Sequence, residues 1–154
     1  MAEISRLNKA VVGFNGLIST LEDLVKAWKP EPMATETGYS NALAAYLRAR
    51  LPEDTRVERE YRHAGTTTDV GVIYKGILSN GEVFFELKRN LKKKTDYDRL
   101  VGQIEGLRPK KSNIFVVLVG DTDEALVGRL REHCKPYVDG GAFDSCSMKL
   151  LVVK

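Results

Sequence analysis

Apolar residues set the rhythm of this chain. Ile4, Leu7, Val11, Phe14, Leu17, Leu21, Leu24 and Trp28 recur at three- and four-residue steps, which predicts an amphipathic helix over residues 3–28. Gly13 and Gly16 weaken that helix. Pro30 and Pro32 close it, because proline lacks an N–H and restricts the residue before it. Ser40, Leu43 and Leu47 form a second stripe, predicting a helix from Glu36 to Leu51 with Thr35 as N-cap and Pro52 as its stop. The period then drops. Residues 55–62 predict an exposed strand, residues 67–74 a second and residues 82–88 a third, with Ser79-Asn80-Gly81 as the turn between the last two. Leu100, Ile104 and Leu107 share one face of a helix over residues 96–107. The unbroken apolar run within residues 113–120 is the pattern of a strand buried on both faces. A helix over residues 122–134, a loop at Gly140-Gly141 and a strand over residues 147–153 complete the chain.

A strand meander followed by alternating helix and strand predicts an α/β domain, a mixed sheet flanked by helices. With 154 residues, one domain over residues 1–154 is expected: a core of about residues 36–120, an additional N-terminal helix within residues 1–30, and a helix and strand in residues 121–154. The hydrophobic fraction of 43% is enough for a real core. A net charge of +3 permits nucleic-acid binding without arguing for it, so the placement of charge matters more than its sum. Cys134 and Cys146 have neither zinc spacing nor a histidine cluster, and two cysteines in a chain of this size point to a reducing compartment. No run approaches the length of a membrane span, and the first residues lead into no apolar signal segment. A soluble, cytoplasmic protein is expected, with no membrane partner. No Gly-rich phosphate loop is present, so no nucleotide cofactor is expected; nucleophile elbow and HExxH are absent too.

The chemistry concentrates in Thr68-Asp69-Val70 and Glu86-Leu87-Lys88. Glu86 and Lys88 share one strand face, while Val83, Phe85 and Leu87 point the other way into a core. Asp69 lies on the strand expected to pair with this one. Direct opposition of residues 69 and 86 would centre the hairpin between Ile77 and Leu78, whereas the Asn80-Gly81 turn would centre it near residue 80. Two carboxylates converging at a strand edge make a hard oxygen site suited to Mg2+ (or Mn2+). A metal there acidifies water and offsets phosphodiester charge, and a neighbouring lysine can orient the water or neutralise the transition state. The plainer alternative is an ordinary cross-strand Glu–Lys surface pair. Arg89, Lys92, Lys93 and Lys94 follow at once and are placed to contact phosphates. Tyr97 can stack on a base or pack. Glu58 and Glu60 share a face of the first strand, and His63 and His133 are isolated.

On Asp69, Glu86-Leu87-Lys88 and the order of elements around them, the chain resembles the PD-(D/E)XK nuclease superfamily, whose fold is restriction-endonuclease-like. Residues 36–120 are similar to its helix, three-strand meander, helix and buried strand. The spacing of Glu36, Asp69 and Glu86 is similar to that of archaeal Holliday junction resolvases and related phage nucleases. Thr68 stands where the family's proline would be. The resemblance implies a magnesium-dependent deoxyribonuclease with DNA as partner and a homodimer as a common assembly. It implies Asp69, Glu86 and the Leu87 carbonyl as metal ligands, Lys88 at the attacking water, and Glu36 at a second metal or the water on it. It also implies a role for Gln103, since some relatives carry a glutamine on that helix; Arg99 shares its helical face. Two rival readings are a catalytically silent nucleic-acid-binding domain of the same fold and a protein-interaction module whose charges are surface pairs.

Overall fold

The computed structural model describes residues 16–63, 65–76, 80–108, 113–138 and 147–153. Helix α1 spans residues 16–27 of these. It is followed by α2 (Glu36–Arg50), β1 (Arg56–His63), β2 (Thr66–Lys75), β3 (Asn80–Arg89), α3 (Lys94–Leu107), β4 (Asn113–Val119), α4 (Glu124–Val138) and β5 (Ser147–Val152). The strands form one sheet in the order β1-β2-β3-β4-β5. β1, β2 and β3 pair antiparallel, while β4 and β5 join in parallel. This is the expected mixed α/β architecture, with helices on both faces.

The two faces carry separate cores. Leu17, Leu21 and Val25 of α1 and Tyr39, Leu43 and Leu47 of α2 pack with Val70, Val72, Val83, Phe85, Leu87 and Phe115. Leu100, Ile104 and Leu107 of α3 and Leu126 and Leu130 of α4 pack with Ile114, Val116 and Leu118 on the other face. β4 serves both cores, and its residues 114–119 are all buried, as its unbroken apolar run requires. Phe85 and Phe115 meet at the centre of the first core, ring centroids 5.0 Å apart.

Helix α2 begins where Thr35 accepts a hydrogen bond from the Gly38 N–H at 3.0 Å. Arg48 and Arg50 sit in its last turn, where cations suit the helix dipole. Arg48 also donates twice to the Val57 carbonyl, at 3.0 and 2.9 Å, which fixes α2 against β1. The Tyr46 hydroxyl donates to the Leu24 carbonyl at 2.7 Å and ties α1 to α2.

Two expectations need correction. Asn80 and Gly81 are not a turn: they pair with Lys75 and Tyr74 inside the β2–β3 ladder. The hairpin is centred earlier because Val70 and Val72 must face the same core as Phe85 and Val83, and a one-residue slip would reverse those faces. Helix α4 runs to Val138 rather than stopping at Cys134, with Pro136 inside its last turn. Of the two uses open to Tyr97, it packs: it is buried in the second core, with the Arg129 guanidinium 4.8 Å from its ring centroid. The first helix is described only from residue 16, and the Gly140-Gly141 loop and Cys146 lie outside the described residues.

Candidate active site

The site forms where the sheet comes apart. β2 and β3 pair from Lys75–Asn80 to Val70–Phe85 and then stop. The same register would place Asp69 opposite Glu86, as direct opposition requires. On its other side, β2 pairs with β1 at Arg59–Val70 and Tyr61–Thr68, passing over Glu60 and Asp69. Glu60 adopts a left-handed φ of 50°, which breaks the alternation expected of Glu58 and Glu60. Asp69 is therefore an interior strand residue that belongs to neither ladder.

The opened edge of β3 needs partners for its backbone donors. Two carboxylates supply them. Asp69 Oδ2 accepts from the Leu87 N–H at 2.8 Å, and Glu36 Oε2 accepts from the Arg89 N–H at 3.2 Å. Within a strand, the N–H and C=O of one residue face the same side. The Leu87 carbonyl therefore faces the same gap. Glu36 comes from the first turn of α2, in line with Ser40, Leu43 and Leu47. It also stands 3.8 Å from Lys88 Nζ. Lys88 is largely sheltered, with 14% of its side chain exposed.

Glu86 and Lys88 lie on the sheet face covered by α3 and α4, because their neighbours Phe85 and Leu87 belong to the opposite core. Glu86 is 6% exposed, and among the described residues no hydrogen bond or ion pair reaches its carboxylate. Burial pushes its pKa up to about 8, with repulsion from Asp69 and Glu36 adding to the rise. Asp69 is raised as well, chiefly by burial and also by Glu36. The Leu87 N–H, Arg59 and Lys88 oppose that rise. An ordinary Glu–Lys surface pair is thus not what these residues make: Lys88 pairs with Glu36, and Glu86 is left with like charge around it.

No protein-family model matches the chain, and no curated protein matches it. Among solved structures it is similar to a repair endonuclease from Pyrococcus abyssi, at 19% identity and a TM-score of 0.43, over 81% of this chain and 48% of that one. The chain spans about half the length of that protein.

A cleft of about 310 Å³ opens beside Glu86, lined also by Thr66, Thr67, Gln103, Gly106 and Leu107. The structure thus brings Glu36, Asp69, Glu86, Lys88 and Gln103 to one end of the sheet. The basic stretch behaves less uniformly. Arg89 donates to the Met33 carbonyl at 2.9 Å, Lys92 pairs with Asp121, and Lys94 pairs with Asp98 at 3.1 Å. Lys93 and Arg99 are exposed and take part in no ion pair among the described residues. The segment's path is set by Asn90, which has a left-handed φ of 53° and accepts from the Asp121 N–H at 2.8 Å. Gly120 must be glycine there: its φ is 76°, and a Cβ would stand 2.3 Å from Asn90 Oδ1.

Sequence reasoning missed Arg59 and Asn41. Arg59 donates from Nε to Asn41 Oδ1 at 2.7 Å and from Nη1 to the Asp69 carbonyl at 2.6 Å. Arg59 sits among Arg56, Glu58, Glu60 and Arg62, where charge alone does not single it out. Of the two histidines, His133 pairs with Glu105 at 2.8 Å, away from the site.

Proposed function

We propose that this chain is a nuclease of PD-(D/E)XK type, with a restriction-endonuclease-like fold, that hydrolyses DNA phosphodiester bonds with magnesium or manganese. Glu86 carries the reading. A carboxylate that is largely buried, without a partner among the described residues and set beside a second carboxylate is costly unless a proton or a cation joins it. The donor set suits such a cation: Asp69, Glu86 and the Leu87 carbonyl are all hard oxygens. Among the described residues, no group of three or more His, Cys, Asp or Glu side chains is arranged to hold a metal ion. A small protein donor set fits magnesium, which keeps several waters and binds substrate phosphate oxygens as well.

When bound, the metal supplies the Lewis acidity that makes water nucleophilic at neutral pH and offsets phosphate charge. The chain's own residues do the rest. The Leu87 N–H holds one Asp69 oxygen and leaves the other for a cation. Glu36 steadies Lys88 at the β3 edge, and in this reading it would serve a second metal or the water on it. The Lys88 ammonium orients the attacking water and neutralises charge that grows on the phosphate. Gln103 lines the cleft where a DNA strand would pass Glu86. Lys93 and Arg99, and the exposed Lys92 and Lys94 beside them, would contact phosphates, while Arg89 is tied to the Met33 carbonyl.

The test is cleavage of linear, single-stranded, circular and four-way-junction DNA. At least one substrate is expected to be cut with Mn2+, and none in EDTA. Failure to cut any of them with Mn2+, or undiminished cutting in EDTA, contradicts the proposal.

A further inference from the structure

Asp69 sits outside both ladders, so something other than sheet pairing must fix its backbone. The residue opposite it on β1, Glu60, is turned away by its φ of 50°. The Arg59 guanidinium takes that place, donating to the Asp69 carbonyl at 2.6 Å. The same guanidinium is anchored on α2 through Asn41 Oδ1 at 2.7 Å. Helix α2 also carries Glu36, which holds the Arg89 N–H of β3. One side chain thus links the helix bearing Glu36 to the strand residue bearing the Asp69 carboxylate. A planar guanidinium suits this, because it bonds in two directions from a fixed fork, which an ammonium cannot do.

We infer that Arg59 is a positioning residue for the cation site: by holding the Asp69 carbonyl against Asn41, it fixes the Asp69 carboxylate at the opened edge of β3. This rests on the reading of Asp69 and Glu86 as metal ligands and adds the group that sets their geometry. Without Arg59, Asp69 is held only by its chain neighbours Thr68 and Val70, which pair with β1, and by the Leu87 N–H on its carboxylate. A clamped backbone narrows the poses open to the carboxylate. Groups that orient a ligand without touching the metal are typically worth about 10–100-fold in metal affinity.

The test is Mn2+ binding by calorimetry to the parent, Arg59→Gln, Arg59→Lys, Asn41→Ala and Asp69→Asn proteins, without DNA. Thermal unfolding shows that each variant is folded. Arg59→Gln is expected to weaken Mn2+ binding by about tenfold or more. Asn41→Ala keeps the guanidinium and removes only its anchor, so a smaller loss is expected; it stands in if Arg59→Gln does not fold. Arg59→Lys is expected to recover part of the affinity, since an ammonium can still reach the carbonyl. In cleavage assays over a range of DNA concentrations, Arg59→Gln should lower kcat and leave KM for DNA unchanged. Parental Mn2+ affinity in folded Arg59→Gln and Asn41→Ala overturns the inference, as does a raised KM with unaltered Mn2+ affinity, which would make Arg59 a DNA contact. If Asp69→Asn loses Mn2+ while the Arg59 variants keep it, only this inference falls. A parent that binds no Mn2+ overturns the metal site as well.

Discussion

Replacing Glu86 by glutamine should make the metal-free protein more stable, although it removes a central residue of the site. The Glu86 carboxyl is raised from 4.5 to about 8 in the folded chain, by burial and by its neighbours Asp69 and Glu36. Between those values the folded state holds a proton that the unfolded chain has released. Stability contributed by that proton is complete below about pH 4.5 and is lost as pH rises through about 8. At about 1.4 kcal/mol per unit, the full loss is about 5 kcal/mol, of which about 3 kcal/mol is already gone at about pH 7. Glutamine keeps the shape and cannot ionise, so the variant escapes this loss. Urea unfolding in EDTA should show Glu86→Gln ahead of the parent by about 1 kcal/mol near pH 5.5, rising to about 4 or 5 kcal/mol near pH 8.5. Millimolar Mn2+ should then raise the parent's stability and leave the variant's unchanged, because a cation that binds only the folded state stabilises it. A variant that is no more stable than the parent near pH 8.5 in EDTA would refute the reasoning. It would mean that Glu86 has a compensating partner or stands in water.

Three further substitutions test the scaffold around the site. Gly71→Val would place a Cβ 2.5 Å from the Tyr61 ring, which lies over Gly71 and stacks on Phe84; chemical denaturation should show a loss of about 1–3 kcal/mol. Thr35→Ala removes the acceptor for the Gly38 N–H at the start of α2. It should cost about 1 kcal/mol in the same assay, and it should lower cleavage by loosening the turn that carries Glu36. Phe85→Ala empties the centre of the core shared with Phe115; a loss of about 3–5 kcal/mol is expected, read from the urea midpoint.

Much of the fold was legible because each element's face is written in its period. Ser40, Leu43 and Leu47 marked the buried side of α2 and so aimed Glu36 at the sheet. Val83, Phe85 and Leu87 marked one core, leaving Glu86 and Lys88 on the other face. The buried run of β4 named the strand that both cores share. The hairpin register was harder, because the strongest local turn signal, Asn80-Gly81, competes with the demand that Val70 and Val72 match Phe85 and Val83. Tertiary packing won, and with it the opposition of Asp69 and Glu86. The split of the ladder was not legible at all. It depends on the left-handed backbone of Glu60, a residue type with no preference for that conformation, and on Arg59 reaching a carbonyl ten residues away. The partners of the basic stretch were hidden for a similar reason: Lys94 and Lys92 meet Asp98 and Asp121 only in the folded chain.

The central claim is that a metal-dependent hydrolytic centre forms where β2 leaves β3. The most direct test is the Mn2+-dependent cleavage rate of the best DNA substrate, measured for the parent beside Lys88→Ala. In the proposed reading Lys88 acts on the attacking water and is not a metal ligand. The variant should therefore keep Mn2+ binding and lose cleavage by about a hundredfold or more. Equal cleavage by parent and variant would contradict the account.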